Sequence, residues 1–562
     1  MAAVLASAVV VRRGLLKVQR KRLLRKVVAA RGRWTDGLRD RGVLPFILQT
    51  LNDLARDSVL YAVSLNPGIA PRLVERSEPR RLVTSEAMDR IKAIADSMRE
   101  GSLGVSGPRG AGKTTIVRYF CDAAYHGAGD GTAAGGDARG AAPPAGEPEL
   151  RMVLSAPVDY QPRDFILLLF TRLAETVLDS AIARQPEART RPWPLVTRGA
   201  RGWRWQALTS SADRWAPMLD RSRRLLADLR YLRTYTTGWS ASVTQVPALG
   251  LARSRSRELA EQPVTLPELI ACYREFSEDA AAWWQSGHDG RGRVLIGIDE
   301  VDKIIDGERA EAFLNDVKAV FGVPGCLYLV SLSEDALAVF ARRALSIRSA
   351  FDSAFDELVA VPPMTYRNSE ELLIKRVAGL SRPFIALCHV LAGGLPRDLL
   401  RAARGLINAA ASGKKTTLPE LAGTLVRREL DALRQASLGR LAACPDTGDL
   451  LNSLHDQGWP GTEPRHLLGA AARLAAAARR SGDDQVNQIC RELIVSLSFH
   501  ATVLTVFGPL HRRVATQLRN SQNGLVDELA RARHAMRLDA SLAHELIERY
   551  LIGNGIDLRA AR

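Results

Sequence analysis

The chain is 562 residues long, with 46% hydrophobic and 25% charged residues, a composition that excludes global disorder and collagen-like repeats and supplies apolar side chains for a sizeable core. At about 150 residues per domain, the length predicts roughly three to four folding units rather than one small module. The formal net charge is +17, and ten basic residues (Arg12, Arg13, Lys17, Arg20, Lys21, Arg22, Arg25, Lys26, Arg31 and Arg33) precede the first acidic one, Asp36. The body of the chain is therefore nearly balanced and demands no polyanionic partner, whereas the arm over residues 1–42 is strongly basic.

In that arm Ala2 to Val11 is an apolar run too short to span a bilayer, and it precedes the basic cluster, the reverse of a secretory signal. An organellar transit peptide would carry more serine. Leu16, Leu23, Leu24, Val27 and Val28 alternate with the basic residues; on a helix Leu16, Leu23 and Val27 share one face, with Arg20 intruding on it. Three readings stay open: docking on an anionic membrane surface, charge-driven binding to nucleic acid, or a solvated arm. The six cysteines (Cys121, Cys272, Cys326, Cys388, Cys444 and Cys490) form no C-x-x-C and read as free thiols of a reducing cytoplasm rather than a zinc or disulfide framework. His389, beside Cys388 in an apolar stretch, reads as a core or lid residue.

Residues 43–62 and 88–98 read as helices and 102–106 as a short strand. GPRGAGKTT follows over 107–115 and fits G-x-x-x-x-G-K-[ST] through Gly107, Gly112, Lys113 and Thr114, with a helical continuation in IVRYFCDAA. Strand, glycine loop and helix come in the order a phosphate cradle requires. The candidate cradle comprises Gly107, Pro108, Arg109, Gly110, Ala111, Gly112, Lys113, Thr114 and Thr115. A phosphate chain needs donors that approach without side-chain obstruction, and backbone N–H groups opening onto a helix N-terminus supply them. Gly107, Gly110 and Gly112 permit the loop; Lys113 would reach the β and γ phosphates, and the Thr114 hydroxyl would ligate Mg²⁺.

Residues 126–149 are rich in Gly, Ala and Pro without apolar periodicity and read as a surface insertion. The core resumes at 151–156, and a helix over 163–178 leads into an Arg- and Trp-rich helical stretch to about 232. Residues 234–252 lack charge, but Thr and Ser dominate and Pro247 interrupts, so they read as a partly buried hairpin or loop rather than a membrane span. A helix over 266–285 precedes VLIGIDE, 294–300, an apolar strand that ends in two carboxylates. Asp299 would hold the water shell of Mg²⁺, and Glu300 would orient and deprotonate an attacking water. Helix 308–321, strand 326–332, helix 333–345, strand 357–361 and helix 369–379 complete an alternation that predicts a parallel sheet covered by helices. Beyond 380 the pattern is all-helical. Residues 493–510 are strongly apolar, yet Ser496, Ser498, Thr502, Thr505, Gly508 and Pro509 favour a buried bundle helix over a span.

With both motifs in place, residues 85 to about 410 resemble the P-loop NTPases of the additional-strand type, AAA+ and its STAND and KAP relatives. The resemblance implies an α/β fold: a parallel-sheet P-loop ATPase core over 43–380 with insertions at 126–149 and 179–290, a helical lid over 381–440 and an all-helical C-terminal region over 441–562. It implies ATP and Mg²⁺ as cofactors, and the absence of an N-K-x-D motif after the acidic strand favours ATP over GTP. In LYLVSLSED the family's γ-phosphate-sensing position falls on Ser331 or Ser333. In IRSAFDSAFDELVAV the arginine-finger position falls on Arg348, with Arg342 and Arg343 as rivals and a helix-end ion pair as the plainer reading. GGLPRDLLRAAR resembles the sensor-two motif and points to Arg397. KAP proteins carry membrane-spanning insertions where 179–290 falls, and the low hydrophobicity of that stretch departs from them. The expectation is a cytoplasmic ATP-hydrolysing conformational switch in a signalling or defence-type assembly; the finger role would make it a homo-oligomer, and the membrane reading of the arm, one of the three left open, would place it at the inner face of the membrane. The alternatives are a nucleic-acid-handling AAA+ ATPase and a membrane-surface scaffold that binds ATP without turnover.

Overall fold

The computed structural model describes residues 20–21, 23–24, 26–32, 34–35, 37–38, 43, 61–64, 82–123, 125, 149–156, 161–184, 218–226, 229, 265–301, 318–333, 355–377, 379–411, 417–445, 447–448, 450–451, 454, 462–481, 483–520 and 523–558. Two compact units emerge: one holds residues 86–129 and 135–362, the other 1–85, 130–134 and 363–562.

The first unit runs α1 (Glu86–Ser97), β1 (Gly101–Gly107), α2 (Lys113–Cys121), β2 (Glu149–Ser155), α3 (Pro162–Arg184), α4 (Leu266–Ser286), β3 (Arg293–Asp299), β4 (Cys326–Ser333) and β5 (Glu357–Ala360). The strands form one sheet in the order β2-β3-β4-β1-β5, and every pairing is parallel. β4 thus lies between the strand that leads into the glycine loop and the strand that ends in the acidic pair, as an additional-strand P-loop fold requires. β1 is buried along its whole length and β3 over all but its first residue, because helices cover both faces of a parallel sheet.

Alternation along the strands sorts side chains between those faces. Val294, Ile296 and Ile298 of β3, with Cys326, Tyr328, Val330 and Leu332 of β4, enter a core shared with Phe165 and Phe170 of α3 and Tyr273, Phe276 and Trp284 of α4. Burying each such aromatic side chain stabilises the unit by roughly 1.5–3 kcal/mol. The long separation between the two motifs is therefore partly core: α4, inside the expected 179–290 insertion, contributes fully buried Tyr273 and Phe276. The other parity of β3 faces α2. At Gly297 an added Cβ would stand 2.7 Å from Val117 Cγ1 and 2.9 Å from Cys121 Cβ, so α2 lies directly on the strand backbone there.

The second unit is helical: α5 (Tyr366–Ile374), α6 (Arg382–Ala392), α7 (Pro396–Ala411), α8 (Leu418–Leu441), α9 (Pro464–Ala478), α10 (Asp484–Phe507), α11 (His511–Arg519), α12 (Gly524–Ala535) and α13 (Ala540–Gly553). One apolar core runs through it, from Val83 and α5 to Ile556 and Leu558. The expected helix over 369–379 starts three residues earlier, at Tyr366, where Thr365 caps it by accepting a hydrogen bond from the Asn368 N–H, and ends at Ile374. The apolar stretch 493–510 falls largely within α10. That helix is long and apolar enough to cross a membrane, but 78% of its most apolar window is buried in the protein, since α8, α9 and α13 pack around it. Residues 234–252, 308–317 and 334–345 lie outside the described residues, as does 126–149 apart from Glu149, which opens β2.

Candidate nucleotide site

The chain leaves β1 at Gly107, turns through the glycine loop and enters α2 at Lys113. Gly112 stands in the left-handed region at the helix start, with φ 98°, a conformation open to glycine at little cost. At Gly107 an added Cβ would approach the Val361 carbonyl oxygen to 2.9 Å, because Val361 N–H donates to Ser106 O at 2.7 Å and draws the chain beyond β5 against the end of β1. Pro108 O accepts from Ala111 N–H at 3.2 Å and closes the turn. The Lys113 side chain folds back under the loop, where Nζ donates to Gly107 O at 2.7 Å and to Pro108 O at 3.1 Å. Its cation is thereby buried beneath the position where phosphate charge would rest.

Strand parity and register bring the remaining residues to this loop. Asp299 lies two positions beyond Gly297, on the same face of β3, and α2 packed over Gly297 sets Thr114 beside it. Thr114 Oγ1 donates to Asp299 Oδ1 at 3.1 Å. On β4, Val330 pairs with Ile298, which puts Ser331 next to Asp299, and Ser331 Oγ donates to the same Oδ1 at 2.9 Å. Ser331 Oγ also accepts from the Glu300 N–H at 2.9 Å. Glu300 has φ 63°, a left-handed conformation uncommon outside glycine, and the bond to Ser331 holds it there. The Asp299 carbonyl accepts from Ala156 N–H at 2.8 Å, tying the tip of β2 to the tip of β3.

Asp299 is 1% exposed, and its Oδ2 has no hydrogen-bond partner among the described residues. A buried carboxylate oxygen without a partner is costly unless a cation or water takes it up. With the Thr114 hydroxyl alongside, the donor set is all oxygen and fits a hard divalent cation such as Mg²⁺; Thr114 and Asp299 would hold it.

Thus Gly107, Pro108, Arg109, Gly110, Ala111, Gly112, Lys113, Thr114 and Thr115 form the loop and the start of α2, Asp299 meets it at Thr114, and Ser331 ties Asp299 to the Glu300 backbone. Ser333 ends β4 two residues beyond Ser331. Arg397 is exposed on the first turn of α7, in the helical unit. Arg342, Arg343 and Arg348 lie outside the described residues. Sequence reasoning missed Gly297, although a glycine inside an apolar strand run signals close backbone approach. It also missed the clamp at the far end of the sheet, where Arg293 Nε donates to Glu149 Oε1 at 2.9 Å and Arg151 Nε to Glu149 Oε2 at 3.1 Å. Burial works against the Glu149 charge, but these bonds hold its carboxyl below the usual range.

The helical unit aligns a serine, a histidine and a carboxylate: Ser369 Oγ lies 2.9 Å from His389 Nδ1, and His389 Nε2 lies 3.3 Å from Asp527 Oδ1. Ser369 and His389 are wholly buried, so this line joins α5, α6 and α12 and offers no nucleophile to a substrate. His389 is a core residue.

A parallel sheet of this strand order, with a glycine loop after β1 and a buried carboxylate at the tip of β3, defines an α/β P-loop nucleotide-binding fold with an attached helical unit. Among solved structures, the chain is similar to the Walker-type ATPase PABY2304 of Pyrococcus abyssi, with 12% identity and a TM-score of 0.32 over 75% of this chain and 95% of that one. It is also similar to the ORC1 protein of Aeropyrum pernix, solved in complex with DNA, with 14% identity and a TM-score of 0.29 over 76% of this chain and 84% of that one. No protein-family model matches the chain, and no curated protein matches it. The P-loop assignment rests on the strand order and the loop geometry.

Proposed function

We propose that this protein binds and hydrolyses ATP, and that turnover resets a conformational switch in a signalling or defence-type assembly. The observation that carries the nucleotide reading is the convergence of Thr114 and Ser331 on Asp299, whose second carboxylate oxygen is buried and without a partner among the described residues, while Ser331 also accepts from the Glu300 N–H. Bound Mg²⁺ would neutralise phosphate charge and draw electrons from the bond to be cleaved. Lys113 supplies positive charge to the β and γ phosphates, the loop supplies N–H donors, and Thr114 and Asp299 hold the metal. Glu300, just beyond the strand tip, takes the proton from the attacking water. Arg397 as a nucleotide-contacting residue, and Arg348 as a finger reaching a neighbouring subunit, belong to this proposal.

Nucleotide binding and steady-state turnover by the purified protein test it. Lys113→Ala is expected to abolish ATP binding. Glu300→Gln is expected to keep binding and lose turnover by about 10²-fold or more. Wild-type turnover in Glu300→Gln would remove Glu300 from the base role, and ATP binding without turnover in the wild type would leave a non-hydrolysing scaffold.

A further inference from the structure

We propose that the basic helix within residues 20–38 docks this protein on an anionic lipid surface. The described residues of that stretch are helical, and all but one are exposed. The exposed ones include apolar side chains that a soluble helix normally buries: Leu23 at 63%, Val27 at 60%, Val28 at 67% and Trp34 at 66% relative exposure. Among the described residues, nothing beyond the helix's own neighbouring backbone lies within 4 Å of where a Cβ would stand at Gly32 or Gly37. At 100° per residue Leu23, Val27, Trp34 and Leu38 fall within about one sixth of the helix circumference, with Leu24 adjoining. Lys21 and Lys26 flank this face on either side, and Arg20 and Arg31 lie on it, where their long stems can lie along the apolar surface with the charged ends in water.

Charge complementarity names the occupant. The arm carries ten basic residues before its first acid, so a second copy of the same helix would be repelled, while an anionic leaflet attracts each Lys and Arg. Nucleic acid would satisfy the charge but offers no apolar medium for Leu23, Val27 and Trp34. A lipid interface satisfies both faces at once: the apolar stripe enters the acyl boundary, tryptophan sits at headgroup depth, and the basic side chains meet phosphate and carboxylate.

The full-length protein is co-sedimented with phosphatidylcholine vesicles and with vesicles of equal parts phosphatidylcholine and phosphatidylserine, at low and high salt. Binding to duplex DNA is measured alongside. Wild type is expected on the anionic vesicles only, and less at high salt. Leu23→Ser/Val27→Ser/Trp34→Ser, which keeps every charge, is expected to lose vesicle affinity by about tenfold or more. Lys21→Glu/Lys26→Glu/Arg31→Glu is expected to lose it by about a hundredfold. All six side chains are exposed, so unchanged circular dichroism and ATP binding confirm that neither variant disturbs the rest of the molecule. Wild-type vesicle binding by the apolar variant overturns the proposal. So does an arm that binds duplex DNA through its charge and leaves anionic vesicles in the supernatant, or one whose apolar face instead holds two copies together in sedimentation.

Discussion

Ser331 shows how one hydroxyl can serve two neighbours. It donates to the Asp299 carboxylate and accepts from the Glu300 N–H, so it fixes the proposed metal-holding group and the backbone of the proposed base together. Its loss leaves Asp299 Oδ1 with Thr114 alone among these partners and releases Glu300 from its left-handed conformation. Ser331→Ala is therefore expected to lower kcat by about 10- to 100-fold while ATP affinity changes little, because the loop and Lys113 are untouched. Ser331→Thr, which keeps the hydroxyl, should recover part of the rate. Equal losses in kcat and in ATP affinity would instead make Ser331 a ligand of the nucleotide. The family resemblance pointed to a γ-phosphate-sensing serine at the tip of this strand but left it open between Ser331 and Ser333. Its two partners were not, since they depend on the register of β4 against β3.

At the scale of elements, α2 reaches the site only because Gly297 lets it lie on β3. A methyl group there would meet Val117 and Cys121 at 2.7 to 2.9 Å and push the helix, with Lys113 and Thr114 at its first turn, away from Asp299. Gly297→Ala is expected to cost about 1–3 kcal/mol in denaturant unfolding and to weaken ATP binding; unchanged affinity would show that the site tolerates a shift of α2. In the helical unit, Glu429 of α8 accepts from His500 Nε2 of α10 at 3.0 Å and from Arg533 Nη2 of α12 at 2.8 Å. Burial opposes its charge, but Arg533, His500 and Arg537 hold its carboxyl below the ordinary value. A depressed carboxyl stabilises the fold above its unfolded pKa of about 4.3, and that contribution is lost as pH falls through the folded value. Glu429→Gln is accordingly expected to be less stable than wild type by about 1–3 kcal/mol at neutral pH, with the gap narrowing in strong acid. A gap that stays constant with pH would assign the loss to packing.

At the scale of the whole molecule, the proposed Arg348 finger makes activity a property of assembly. An arginine that acts in trans needs a neighbour to present it, so turnover per subunit is expected to rise with protein concentration, and Arg348→Ala to abolish the rise without abolishing ATP binding. Constant specific activity over a wide dilution range, with a monomer in sedimentation, would reject the finger. Docking through the basic arm would favour such an assembly, because a surface concentrates the subunits it holds.

The sequence by itself determined the α/β class, the glycine loop, the acidic strand and the helical C-terminal half, because each is written in local pattern: glycine spacing, apolar runs ended by charge, and a change of period after residue 380. It also marked α10 as a buried helix through the serines and threonines in its apolar run. Tertiary structure alone decided what those pieces do to one another. That β4 lies between β1 and β3, that α4 within the long intervening segment is core, and that Asp299 keeps one oxygen without a partner among the described residues follow from strand order and face parity between segments far apart in the chain. Such pairings are set by which buried surfaces fit and which polar groups can be satisfied together, and no local window of residues contains both partners.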